Sequence, residues 1–206
     1  MPDTGDYVPV GRYLFVLYPA APGDLDHVVR LDREAVEWLG RIGTDQWQKP
    51  WPDWAGRLER IRHDLLKGKT WLVREGDTIA ATLTVDNDEP VDLNESPVWP
   101  PSEIQRPVMY VRRVIVSRRY ARHELGAALL NWAADRAKVR GAELIRIDVW
   151  TTNTKLHDYY KGQKFTRCRD PQGLGSYPSQ ALFERPVNVR GSTAAELLVI
   201  QEGQDA

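Results

Sequence analysis

Apolar and polar positions alternate along this chain in short blocks, and the period of each block predicts an element. Tyr13–Tyr18 is nearly continuous apolar sequence ended by Pro19, which predicts a strand. After the Pro22-Gly23-Asp24 turn, Val28, Leu31, Ala35, Val36 and Leu39 share one helical face; Asp24 is the expected cap, and Gly40 and Gly43 the stop. Thr44–Trp54 holds three Trp and two Pro and predicts a loop. Asp53 is placed to cap a second helix, Trp54 to about Lys67, ended by Gly68. Thr70–Arg74 and Thr78–Val85 predict a hairpin around Glu75-Gly76-Asp77. Asp86–Gln105 has four Pro and no periodicity. Val108–Val116 predicts a strand. Leu125, Ala128, Leu129, Trp132, Ala133 and Val139 make an amphipathic stripe over Glu124–Val139, ended by Gly141. A strand (Glu143–Trp150), a short helix (Thr154–Lys161), two strands (Phe165–Cys168, Ser179–Glu184) and a short element near Ala194–Ile200 complete the pattern. The order β-α-α-β-β-β-α-β-α-β-β predicts an α/β fold with a mixed sheet.

Composition narrows the class. With 206 residues, 42% hydrophobic and 28% charged, the chain is expected to be one soluble domain, its core about 13–185 and residues 186–206 an extension. A net charge of -1 argues against a dedicated nucleic-acid binder. No stretch approaches the ~20 apolar residues of a membrane span, so no membrane partner is expected. One cysteine, Cys168, excludes an internal disulfide and a cysteine-rich zinc site and suits a reducing cytoplasm. His27, His63, His123 and His157 lack metal-ligand spacing, and no metal is expected. Eight Trp against three Phe suggests that some indoles wall a ligand pocket.

The segment richest in chemistry is Arg112–Leu130, RRVIVSRRYARHELGAALL. A strand enters a turn carrying Arg118, Arg119, Arg122 and His123, and the turn opens a helix with Gly126 in its first turn. First-turn amides lack intrahelical partners and, with the helix dipole, favour an anion. Gly126, Ala127 and Ala128 leave room for a phosphate to reach the backbone. The same residues also read as a solvated basic loop before an ordinary helix.

Val114-Ile115-Val116 followed by RRYARHELGAALL resembles the acyl-CoA-binding motif of the GNAT N-acetyltransferases, Arg/Gln-x-x-Gly-x-Gly/Ala after a strand. In register, its first position falls on Ala121 and its glycines on Glu124 and Gly126, so the Arg and the first Gly are replaced. Farther on, Asn153, Tyr160 and Phe165 keep the spacing of a second family motif, with Lys164 in place of the usual Gly. The resemblance is residue-specific over about Tyr110–Phe165 and follows element order from Tyr13 to Glu184.

The resemblance implies a GNAT fold: a twisted mixed sheet, splayed between Val108–Val116 and Glu143–Trp150 and flanked by helices. It implies acetyl-CoA, or another acyl-CoA, as co-substrate, held by Val114, Ile115 and Val116, by the turn residues Arg122, His123, Glu124, Leu125, Gly126 and Ala127, and by Asn153, which alternatively caps the next helix. It implies transfer of an acetyl group to a primary amine of a small molecule by direct attack. Tyr160 would be the general acid for the departing thiolate, and Tyr159, facing elsewhere, would be silent. Family members often carry a Glu where Arg112 and Arg113 stand, so base duty passes to Asp148, to an acid within Asp86–Glu95, or to water. Trp47 and Trp51 are candidate walls for the acceptor, apolar or cation-binding. Arg112 or Arg113 is a candidate clamp for a substrate carboxylate, whereas the acidic run from Asp86 to Glu95 would favour a cationic amine. A homodimer stays open. Rival readings are a peptide or protein amine as acceptor, an aminoacyl-tRNA as donor, and a sensor that binds acyl-CoA without turnover.

Overall fold

The computed structural model describes residues 5–88, 98–99, 106–168 and 177–191. Its elements are β1 (Asp6–Val10), β2 (Tyr13–Pro19), α1 (Leu25–Arg41), α2 (Trp54–Leu66), β3 (Thr70–Glu75), β4 (Thr78–Asp86), β5 (Val108–Val116), α3 (Leu125–Val139), β6 (Leu144–Val149), α4 (Thr154–Gly162), β7 (Thr166–Arg167) and β8 (Ala181–Pro186). Between Tyr13 and Pro186 these are the elements that the pattern predicts, with bounds moved by a residue or two. β1 is an addition. Its DYVPV sequence contains Pro9, which argues against a strand, but β1 is the edge of the sheet, where a missing donor is tolerated. The expected element near Ala194–Ile200 lies outside the described residues.

The strands form one sheet in the order β1-β2-β3-β4-β5-β6-β8-β7. Only β5 and β6 run parallel, and α3 supplies the crossover that a parallel pair requires. Period-two alternation sends β3 side chains to opposite faces. Trp71 and Val73 join the core under α3 with Leu129, Trp132 and Ala133, while Leu72 joins Val28, Leu31, Ile61 and Leu65 of α1 and α2. Among the described residues no helix is long and apolar enough to cross a membrane.

Two irregularities open the middle of the sheet. Thr84 faces Arg112 and Thr82 faces Ile115, so β5 spends one residue more than β4 over that interval. This is a bulge, and Arg113 takes φ +48° within it. On its other side β5 pairs with β6 only at Val108, Met109 and Tyr110. Beyond Tyr110 the two strands part, which is the splay implied by the resemblance.

Local chemistry sets the helix ends, with one correction. Asp53 caps α2 by accepting from the Gly56 amide at 2.7 Å. Asp24 does not cap α1 through its side chain; it accepts from the Ala21 amide at 2.8 Å and closes the turn before the helix. Glu124 precedes α3 at φ +61° and Lys164 precedes Phe165 at φ +64°. Both stand where the resembling family has Gly, and both occupy the left-handed region that Gly enters without steric cost. Glu124→Gly is therefore expected to stabilise the fold by about 1 kcal/mol, a rise in Tm of roughly 2–4 °C by thermal melting. A lower Tm would show that the Glu124 side chain contributes more than its backbone costs.

Candidate active site

The splay opens into a cleft of about 1180 Å³ whose walls come from α1, the α1–α2 loop, α2, β5, the end of β6 and α4. Of the sequence-predicted residues, Val114, Ile115, Val116, Asn153, Tyr160, Trp47, Trp51, Arg112 and Arg113 line it. Arg122, His123, Glu124, Leu125, Gly126 and Ala127 form the turn and first residues of α3 instead. They adjoin the cleft through Gly126: a Cβ built there would lie 2.8 Å from the Tyr159 hydroxyl and 4.0 Å from Val116, and both of those residues line the cleft. The first intrahelical bond of α3 runs from Ala128 N–H to Glu124 O, which leaves the Leu125, Gly126 and Ala127 amides without helical acceptors. Arg122, exposed and at φ +64°, sits beside them.

Tyr160 is buried against Phe165 and Phe183, with ring centroids 5.6 and 6.1 Å away. Burial, then the neighbouring Tyr159 and Asp148, push its phenol far above the ordinary value. It keeps its proton throughout the neutral range and so has one to donate. Tyr159 departs from expectation. Adjacent helical residues face about 100° apart, yet α4 stands at the cleft rim and both tyrosines reach it. Burial, then Glu124, push the Tyr159 phenol up to about 12. Tyr159, partly exposed, therefore borders both the cleft and the α3 start.

The ion pairs revise the substrate expectations. Asp86 accepts from Arg112 at 2.7 Å and from Lys69 at 2.8 Å, and Lys69 also reaches Asp88 at 2.6 Å. Burial opposes the Lys69 charge, but the bonds to Asp86 and Asp88 outweigh it and hold its pKa up. Within the acidic run, Asp86 and Asp88 are therefore compensated; Glu89, Asp92 and Glu95 lie outside the described residues. Arg113 pairs with Asp64 and bonds Thr84 Oγ1 at 3.2 Å. Neither Arg112 nor Arg113 is an uncommitted clamp. The indoles also carry cations of the protein itself: the Arg57 guanidinium lies 4.5 Å over Trp47, and that of Arg60 lies 4.8 Å over Trp51. Each guanidinium occupies one face of its ring, and both indoles line the cleft.

The α1–α2 loop is fastened across the cleft mouth. Asp45 accepts from Thr152 Oγ1 at 2.6 Å and Trp150 Nε1 at 3.2 Å, and Gln46 Oε1 accepts from Asn153 Nδ2 at 2.6 Å. Asn153 Oδ1 accepts from the Leu156 amide at 3.1 Å, so the capping role is realised. Asp148 accepts from the Tyr177 hydroxyl at 2.5 Å, and the Tyr177 ring meets Trp51 edge-on at 4.9 Å. Sequence reasoning missed Arg60, Asp64 and Tyr177. A signal existed for Asp64: it shares the inward face of α2 with Arg57, Ile61 and Leu65 at helical spacing. Among the described residues no three His, Cys, Asp or Glu side chains converge as a metal site.

Comparison with known proteins gives one result. A family model described as Acetyltransferase (GNAT) family matches residues 36–165. The N-acetyltransferase YesJ of Bacillus subtilis (strain 168) is 26% identical over 152 residues, which is 71% of this chain and 79% of that protein. A GNAT-family acetyltransferase structure from Listeria monocytogenes superposes with a TM-score of 0.70 at 18% identity, over 88% of this chain and 99% of that one. The yncA protein of Salmonella typhimurium, a structure with its cofactor acetyl-CoA, superposes with a TM-score of 0.54 at 15% identity, over 87% and 97%.

Proposed function

Because the chain belongs to the GNAT acetyltransferase family and is thus an acyl-CoA-dependent acetyltransferase, we propose that it transfers the acetyl group of acetyl-CoA to a primary amine of a small molecule. The observation that carries this reading is the juxtaposition of the splayed β5–β6 edge with the start of α3. Val114 and Val116 stand where β5 has no β6 partner, so their backbone groups can pair with the extended pantetheine arm as with a short strand. The Leu125, Gly126 and Ala127 amides and Arg122 suit the pyrophosphate. The residues present fit the co-substrate, and the complex of yncA with acetyl-CoA supports the assignment by analogy of fold.

Acetyl-CoA supplies an activated acyl carbon on a sulfur leaving group. The protein's own residues handle the protons. Transfer forms an N–C bond and breaks a C–S bond; the nitrogen loses one proton and the sulfur gains one. Tyr160, protonated and at the cleft wall, gives its proton to the departing sulfur. Asp148, which also lines the cleft and acts electrostatically on Tyr160, takes the proton that the amine loses.

Acetyl-CoA titration by calorimetry tests the binding half. Gly126→Val is expected to weaken acetyl-CoA affinity at least tenfold, about 1.4 kcal/mol, because the added side chain meets the Tyr159 hydroxyl and covers the amides. Unchanged affinity in a folded variant would remove the α3 start from the site. Release of free thiol with a panel of amines tests the transfer half; binding without any acetylation would favour a sensor.

A further inference from the structure

On the α2 side of the cleft, every lining arginine or lysine except one has a carboxylate partner. Arg57 is held by Asp32, Lys69 and Arg112 by Asp86, and Arg113 by Asp64. Arg60 has none among the described residues. Its guanidinium lies over the Trp51 ring, gives one hydrogen bond to the Trp51 carbonyl, and keeps its other donors for the cleft. Burial first, then Arg113 and Arg57, pull its pKa below the ordinary value, against a smaller opposing pull from Tyr177 and Asp64. The Trp51 indole N–H, in the same stack, is buried without an acceptor among the described residues. Among the described residues, the cleft thus holds a guanidinium without a carboxylate and, beside it, an indole N–H without an acceptor, an arrangement suited to an anionic group of a ligand.

We propose that the acceptor carries a carboxylate that Arg60 binds, so that the substrate class is an amino acid or a close amino-carboxylate. This rests on the acetyltransferase reading and deepens it. The planar guanidinium fork matches a carboxylate in two parallel hydrogen bonds. From Arg60 the contacts run through Trp51 and the Tyr177 ring to the Tyr177 hydroxyl and Asp148. An amino acid complements this row of groups, with its carboxylate at Arg60 and its amine, in the neutral form that attacks, toward Asp148. The paired Arg112 and Arg113, which the sequence suggested for this duty, are already neutralised. Arg60, one helical turn from Arg57 on α2, takes their place.

The test uses matched acceptors with acetyl-CoA: amino acids with small, acidic, basic and aromatic side chains, each beside its carboxamide and its decarboxylated amine. The wild-type enzyme is expected to acetylate at least one acid with kcat/KM roughly 30-fold or more above its carboxamide and amine. Arg60→Gln is expected to cut kcat/KM for that acid by a similar factor, mainly through KM. The acid-to-amide ratio should then fall toward unity, with the acetyl-CoA Kd unchanged. Arg60→Lys should recover part of the preference. The proposal is overturned if carboxylate-free amines serve as well as the acids, if no amino acid in the set is acetylated, or if Arg60→Gln keeps the preference. The wild-type comparison needs no variant, so a misfolded Arg60→Gln protein does not spare the proposal. Failure of acetyl-CoA to bind would remove the acetyltransferase reading itself; binding with acetylation of carboxylate-free amines would remove this inference alone.

Discussion

Tyr160→Phe is expected to lower kcat for acetyl transfer at least tenfold while leaving the Kd for acetyl-CoA nearly unchanged. General acid catalysis contributes roughly 100- to 10,000-fold, and water at the cleft can replace part of it. The substitution removes one oxygen and keeps the ring that packs on Phe165 and Phe183, so α4 stays in place. Tyr159→Phe should behave in the opposite way. Its hydroxyl lies beside Gly126 and the α3 amides, so its loss should alter acetyl-CoA affinity more than turnover. Full activity in Tyr160→Phe would remove the general acid role, and a fall in kcat confined to Tyr159→Phe would transfer that role to its neighbour.

Asp32→Ala is expected to be the most destabilising of the changes considered, by about 3 kcal/mol or more. The Asp32 and Arg57 side chains are 1% and 9% exposed, and they pair through Arg57 Nε at 3.1 Å and Nη2 at 2.5 Å. Removing the carboxylate leaves a guanidinium buried between α1 and α2 without its counter-charge. At roughly 2–4 °C per kcal/mol for a chain of this size, Tm should fall by about 6–12 °C. Replacing both partners with apolar residues of similar volume, as in Asp32→Leu with Arg57→Met, should recover much of the loss, because the desolvation penalty goes with the charges. A single-variant drop of less than about 2 °C would show that water reaches Arg57. The same guanidinium covers Trp47, so Asp32→Ala should also loosen the acceptor wall.

What the sequence determined by itself is local. Asp53 and Asn153 are legible as caps because each bonds an amide three residues ahead. The strand, basic turn and helix around Gly126 are legible because one continuous segment builds them. Tyr160 and Phe165 are legible because their spacing places them on and just after one short helix. Even the departures from the family pattern carried information: Glu124 and Lys164 replace Gly, and the backbone still holds both at positive φ, since turn geometry is set by what precedes and follows it.

Tertiary structure alone decided the charge state and polarity of the cleft. Asp64 and Arg113 lie 49 residues apart, and Asp86 and Arg112 lie 26 apart; only the antiparallel β4–β5 pairing and the packing of α2 bring them together. Until those pairs form, the Asp86–Glu95 run reads as an acidic patch and Arg112 and Arg113 as clamps. Once they form, Arg60 is the α2 cation lining the cleft that has no carboxylate partner among the described residues, and Trp47 and Trp51 each carry a guanidinium on one face. The splay is likewise absent from any local pattern: β5 pairs with β6 only at Val108, Met109 and Tyr110, and beyond Tyr110 the strand parts from β6 while still pairing with β4. An interaction between neighbours in the chain is written in their spacing; one between distant segments exists only after the topology has chosen which faces meet.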